Sequence, residues 1–195
     1  MNDHRDLAWP PAPLRTERLV LRASEPRDRE VVIALNASPE VGTYLGGPQP
    51  RDELERTVPA VPGQRPGFFM VDLDGTPIGT LQLDPHVAEN PHGVERPANR
   101  LRAGGTELGY LFLPEVWGHG YATEACAAAL DWFAGRLPGE PVVLYTQTAN
   151  ARSMRLAAKL GFTEAERFVA WDAEQWFGVR PAARTGPYGR PPSAR

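Results

Sequence analysis

Hydrophobic and polar positions divide this chain into short strands and helices. Leu14 to Ala23 reads as a first strand, with Leu19 and Leu21 turned inward and Arg18, Val20 and Arg22 on the other face. Pro26 opens a helical stretch that runs to Leu35, with proline in its first turn. Glu40–Leu45 and Arg51–Val58 read as short helical pieces either side of Gly46-Gly47-Pro48. Phe68–Leu73 and Pro77–Leu83 form a hairpin across Asp74-Gly75, the clearest turn signal in the chain. Glu107–Leu113 is an aromatic and apolar strand that ends at Pro114. From Tyr121 to Phe133, Ala122, Cys126, Ala129, Leu130 and Phe133 recur at the spacing of a helix face. Val142–Thr146 is a β-branched strand. It leads to a helix capped by Asn150, with Leu156 and Leu160 on one face and Gly161 as terminator. Thr163–Trp171 and Glu174–Val179 close the chain as an antiparallel pair.

The stretch between the Glu107 strand and the Tyr121 helix carries the candidate chemistry. A strand, a glycine turn and a helix N-terminus bring free backbone N–H groups together, where the helix dipole favours negative charge. Gly118 and Gly120 let that backbone approach a phosphate with no side chain in the way. A turn with no ligand has the same local pattern, so the spacing to a second element decides between them. That element is the Val142 strand followed by Asn150-Ala-Arg-Ser153 and Leu160-Gly161-Phe162.

With both in this order, the chain resembles the GNAT family of N-acetyltransferases. The family's acyl-CoA pyrophosphate loop, (Q/R)-x-x-G-x-(G/A), aligns with Trp117 to Ala122, and its N-x-x-S…L-G-F helix aligns with Asn150 to Phe162. Trp117 stands where the broad family often has Gln or Arg. Leu14-Arg-Thr-Glu-Arg-Leu-Val-Leu-Arg22 is similar to the first strand of the branch that acetylates ribosomal-protein N-termini, in which tryptophan at the loop position is familiar. The resemblance covers roughly Leu14 to Arg180.

It implies an α/β (α+β) fold with a mixed, mostly antiparallel central sheet flanked by helices. The implied reaction is transfer of an acetyl group from acetyl-CoA to a primary amine by direct attack in a ternary complex, with acetyl-CoA as cosubstrate and no metal. Cofactor contacts fall on Leu111, Leu113, Trp117, Gly118, His119, Gly120, Tyr121, Ala122, Thr123 and Asn150. Leu111 and Leu113 pair their backbone with the pantetheine arm, and an exposed amide there polarises the thioester. Glu107, at the start of that strand, is the first choice of base, directly or through a water, provided that burial raises its pKa. Ser153 is the candidate acid for the leaving thiolate, with Tyr145 as the alternative donor; Tyr110 reads as packing.

Composition sets bounds on this picture. A chain of 195 residues holds one domain, here residues 14–180, after an extended proline-bearing arm (1–13) and before a Pro/Arg tail (181–195) that is expected to be disordered. A net charge of −3 gives no electrostatic footprint for nucleic acid. The single cysteine, Cys126, cannot form an internal disulfide and fits a reducing compartment. No apolar run has the length of a membrane span, so a cytoplasmic protein, monomer or homodimer, is expected.

An insert at about 84–105 is polar, and its His86 and His92 lack the spaced partners of a metal site. The acceptor pocket is expected from Glu40–Val58, this insert, and Phe168, Trp171, Trp176 and Phe177, although Trp171 and Trp176 also suit the core. The acceptor is a protein N-terminus or a small-molecule amine. The competing reading is an acyl-CoA-binding or regulatory module without turnover.

Overall fold

A computed structural model of the chain describes Trp9, residues 11–85 and residues 105–182. The strands are β1 (Leu14–Arg15), β2 (Leu19–Arg22), β3 (Phe68–Leu73), β4 (Thr76–Pro85), β5 (Thr106–Phe112), β6 (Val142–Gln147), β7 (Thr163–Ala170) and β8 (Ala173–Arg180). The helices are α1 (Arg29–Ala37), α2 (Pro39–Gly42), α3 (Arg51–Thr57), α4 (Tyr121–Arg136) and α5 (Ala151–Lys159). All eight strands lie in one sheet in the order β1-β2-β3-β4-β5-β6-β8-β7. Every neighbouring pair is antiparallel except β5 and β6. This is the mixed, mostly antiparallel sheet expected from the sequence.

The parallel pair is brief. Thr106 pairs with Val142 and Glu107 with Val143, and beyond them the two strands no longer pair. β4 follows β5 along its whole length, from Pro85↔Thr106 to Gly79↔Phe112. One edge of β5 is therefore saturated and the other opens into a cleft.

Alternation along the strands separates two buried layers. Leu19, Leu21, Phe69, Val71, Leu81, Leu83, Leu108 and Phe112 face α4, which presents Ala125, Cys126, Ala129, Leu130 and Phe133. Their partners on the other face, including Phe68 and Met70, lie toward α1, which buries Ile33 and Leu35. α5 ends as the sequence requires. Gly161 has φ +80°, and the amides of Gly161 and Phe162 bond back to the carbonyls of Ala158 and Ala157, so Phe162 is turned into the core.

Two departures from the sequence reading have local causes. The expected strand Leu14–Ala23 is a small hairpin, because Thr16 interrupts it: its Oγ1 accepts from the Leu19 amide at 2.9 Å and its amide donates to the Leu19 carbonyl at 3.0 Å. Trp171 does not fill the core. It and Asp172 form the two-residue turn between β7 and β8, with φ +50° and +57°, and its ring is exposed. Trp176, by contrast, is buried in the α4-side core. Most of the expected arm, nearly all of the insert with His86 and His92, and the tail beyond residue 182 lie outside the described residues, while Trp9 of the arm packs edge-on against Phe69.

Arg22, on the α1 face, is a buried charge that the sequence reading left as a mere strand position. Its guanidinium bonds both oxygens of Asp72 (2.7 and 2.9 Å) and both of Asp28 (2.7 and 2.7 Å), and donates to the Ala23 carbonyl at 3.0 Å. An arginine carries five N–H donors, and all five are engaged. Arg27 reaches the Asp72 carboxylate from the surface at 3.2 Å. Two carboxylates thus meet two guanidiniums, tying β2, β3 and the turn before α1 into one unit.

Candidate active site

The turn between β5 and α4 is built on two left-handed glycines. Gly118 has φ +87° and Gly120, the N-cap of α4, has φ +83° and ψ 0°. A side chain at either would be strained, although space is open around both: nothing lies within 4 Å of a Cβ at Gly118, and only Arg18 Nη2, at 3.7 Å, near one at Gly120. The helix's own bonding starts with the Glu124 amide on the Gly120 carbonyl, and no side chain caps it. The amides of Gly118 through Thr123 consequently have no acceptor among the described residues, in an exposed to half-exposed turn at the positive end of a 16-residue helix.

Arg18 and Glu124 hold this turn in place. Glu124 Oε1 accepts from Thr16 Oγ1 (2.5 Å) and from the Arg18 amide (3.0 Å), and its Oε2 accepts from Arg18 Nε at 2.8 Å. The same guanidinium donates to the His119 carbonyl at 3.1 Å and lies over the Tyr121 ring at 4.5 Å, while Tyr121 stacks on His119. Burial opposes the ionised Glu124, but the hydrogen bonds from Thr16, the Arg18 amide and the Arg18 guanidinium outweigh it and hold the carboxyl below its usual range. A depressed carboxylate contributes stability above its unfolded pKa and loses it as pH falls through its folded pKa. The stability gap between wild type and Glu124→Gln should therefore be full at pH 7 and close below about pH 4 in urea titrations. A gap unchanged at pH 3 would contradict the assignment. The sequence reading missed Arg18, which it treated only as a strand residue.

Trp117 joins the turn to β5 and α5. Its indole Nε1 donates to the Phe112 carbonyl at 2.8 Å, and the Arg152 guanidinium lies 4.8 Å from its ring centroid. The tryptophan thus fastens the loop to the end of the strand and carries a cation over its ring.

The assignment of backbone contacts to Leu111 and Leu113 is corrected by the phase of β5. The Leu113 amide donates to the Ile78 carbonyl of the β4 chain at 3.0 Å, and Leu111, two residues back, pairs with Thr80 in the same phase. Neither offers a free amide to the cleft. The open edge belongs to Tyr110 and Phe112, since the intervening positions turn toward β6, as the Thr106 amide on the Pro141 carbonyl (3.1 Å) and the Trp117 bond to Phe112 both show. A one-residue error in phase exchanges the two edges of a strand.

Asn150 caps α5 as expected, its side-chain oxygen accepting from the Ser153 amide at 3.1 Å. Ser153 Oγ lies 2.7 Å from the Tyr110 hydroxyl, across the cleft mouth from α5 to β5. Tyr110 packs against the core, as expected, and also makes this hydrogen bond. Burial pushes its phenol well above the ordinary range, with the Ser153 hydrogen bond opposing. Cys126, on the neighbouring core face, is likewise pushed up by burial. Glu107 sits at the last paired position of β5 and β6, half-buried, with Asp84 beside it on β4. Asp84 is ion-paired with Arg65, which also donates to Gln82 at 3.0 Å. Strand alternation puts Glu107 and Tyr110 on opposite faces of the sheet.

On the Glu107 face, Tyr145 stacks on Phe177 at 4.7 Å and meets Phe168 edge-on at 6.2 Å. A small pocket under α1 and α2, walled by Leu35, Asn36, Val41 and Gln49, reaches Leu111 from the same side. Of the aromatic residues expected around the acceptor, Phe168 is half-buried on this face, Phe177 is fully buried beneath Tyr145, and Trp176 takes the core position that the sequence also allowed.

Comparison with known proteins gives this geometry its family. The acetyltransferase (GNAT) domain matches residues 18–163. The chain is 30% identical over 165 residues to the FsC-acetyl coenzyme A-N(2)-transacetylase of Aspergillus fumigatus, covering 80% of this chain and 66% of that one. Among solved structures, an acetyltransferase from Agrobacterium tumefaciens superposes with a TM-score of 0.64 at 26% identity, over 90% of this chain and 97% of the other. An acetyltransferase of Salmonella typhimurium that modifies the N-terminal serine of a 50S ribosomal subunit protein shares the fold, with a TM-score of 0.60 at 14% identity over 88% and 100% of the two chains. Among the described residues, no helix is long and apolar enough to cross a membrane. The chain belongs to the GNAT family and is an acetyl-CoA-dependent N-acetyltransferase.

Proposed function

We propose that this protein binds acetyl-CoA across the β5–β6 opening and passes the acetyl group to a primary amine that approaches from the α1 face. The observation that carries this reading is the run of acceptor-free amides from Gly118 to Thr123, which leads directly onto the unpaired edge of β5. Pyrophosphate on those amides, with the Arg18 and Arg152 guanidiniums nearby, leaves the pantetheine arm to follow the Tyr110–Phe112 edge as an added strand. The thioester then lies between Glu107 on one face and Ser153 on the other.

In that arrangement the amine nitrogen forms its bond to the acetyl carbon as the carbon–sulfur bond breaks. The amine gives up its ammonium proton to solvent before it attacks; Glu107 then takes the proton that leaves the nitrogen as the amide forms, directly or through a water, and passes it to solvent. Ser153 stands in the acid's place and meets the departing sulfur with a hydrogen bond from its hydroxyl; the thiolate takes its proton from water on release. The Tyr110 and Phe112 amides are the free backbone donors for the thioester oxygen. The family relatives take acceptors as different as the N(2) position of FsC and a ribosomal protein N-terminus. The half-buried rings of Tyr145 and Phe168, on the face that carries Glu107 and Asp84, suit an amine that arrives as a cation next to an apolar group.

The test is release of free thiol from acetyl-CoA against a panel of peptide N-termini, polyamines and amino sugars. Thiol release that depends on at least one amine class, with acetyl transfer to the amine confirmed by mass, is the expected result. Acetyl-CoA binding without release across the whole panel would overturn the catalytic reading in favour of a binding module.

A further inference from the structure

We propose that Tyr110 is a positioning residue for the acetyl-transfer step: its phenol donates to Ser153 Oγ and thereby aims the serine hydroxyl at the leaving sulfur. The inference rests on the reading of Ser153 given above and adds a residue to it.

A serine in the first turn of a helix ordinarily spends its hydroxyl on nearby backbone. Ser153 does not. Its amide is taken by Asn150, and its Oγ reaches Tyr110, 43 positions away on another element, at 2.7 Å. The contact lies where β5 and β6 have parted, since their pairing stops at Glu107 and Val143. A hydroxyl oxygen has one proton to give and two lone pairs. If the phenol donates to Oγ, the serine proton cannot return along the same line and is left to point into the cleft. Burial keeps the Tyr110 phenol protonated, so it has a proton to give to Oγ throughout the cycle. Two hydroxyls in series also polarise one another, which strengthens the bond offered at the far end. No proton passes through Tyr110 in this scheme. The thiolate leaves under the serine hydrogen bond and takes its proton from water on release.

The contact can be tested without knowing the acceptor, using CoA and desulfo-CoA as probes. Calorimetry at pH 9, where a simple thiol is partly ionised, would compare wild type, Tyr110→Phe and Ser153→Ala. Wild type should prefer CoA to desulfo-CoA by about tenfold, the size of one hydrogen bond to a charged group. Ser153→Ala should abolish the preference. Tyr110→Phe should cut it to about threefold or less while leaving the desulfo-CoA affinity within about twofold, a split that a purely structural role would not produce. Tyr110→Phe with the full preference, beside a Ser153→Ala protein that has lost it, would overturn the role of Tyr110 and leave that of Ser153. An equal loss of both ligands in Tyr110→Phe would also overturn it, as a packing effect. A preference that survives Ser153→Ala would overturn the Ser153 reading, and the proposal with it.

Discussion

Arg22→Leu lowers the unfolding free energy by about 3–5 kcal/mol, the cost of leaving buried charge without its partner. Leucine fills the apolar stem of the arginine, so the loss comes from the two carboxylates rather than from a cavity. Asp28 is fully buried and Asp72 is 4% exposed; each loses two guanidinium bonds, and Asp28 has no other cation among the described residues. For a chain of this size the shift in melting temperature should be roughly 2–4 °C for each kcal/mol. Arg22→Lys should recover only part of the loss, because an ammonium cannot bridge two carboxylates in a planar fork. Acetyl-CoA affinity at low temperature should stay close to wild type, since the cluster is on the α1 side of β2 and β3, away from the glycine turn. Chemical denaturation of the three proteins decides the matter. A loss below about 1 kcal/mol for Arg22→Leu would mean that the cluster is solvated or readily repacked.

Glu107→Gln should lower kcat by about 10²–10⁴-fold, the range for loss of a positioned general base. The side chain keeps its shape and hydrogen-bonding reach, so the acetyl-CoA affinity should remain within about twofold of wild type. The opposite-face arrangement explains why the two effects separate. Glu107 stands at the closed end of the β5–β6 opening, on the face with Tyr145 and Leu111, whereas the amides of the glycine turn lie beyond the far end of β5. The measurement uses the best amine from the thiol-release panel, with kcat and the acetyl-CoA Kd determined separately. Unchanged kcat would remove Glu107 from the mechanism.

Much of the frame was legible because local signals and tertiary needs agree. Asp74-Gly75 makes its hairpin with φ +49° and +80°, Asn150 caps its helix, and Gly161 ends it. The turn at Trp171-Asp172 was not legible, because it holds positive φ at two residues without glycine or asparagine to announce it. The glycine turn was found from its place between strand and helix. The phase of β5 was not, since Tyr110, Leu111, Phe112 and Leu113 are all apolar or aromatic and offer no alternation to show which edge is free. The Tyr110–Ser153 contact joins two elements brought together only by the fold. The same is true of Arg22 with Asp28 and Asp72, and of Arg18 with Glu124. A charged residue in a strand pattern reads as solvent-facing until its partners are known.

The most direct test of the account is acetyl-CoA binding by calorimetry, with wild type beside Gly120→Glu. The substitution places a carboxylate at the mouth of the amide cradle and forces a left-handed φ on a residue with a Cβ, at a cost of about 1–2 kcal/mol that an otherwise intact fold should bear. Wild type should bind in the micromolar range and the folded variant should be weaker by at least about 100-fold, the combined loss of charge-assisted amide contacts and addition of like charge. Equal affinity in the two proteins, or no binding by a folded wild type, would contradict the placement of the pyrophosphate at Gly118–Thr123.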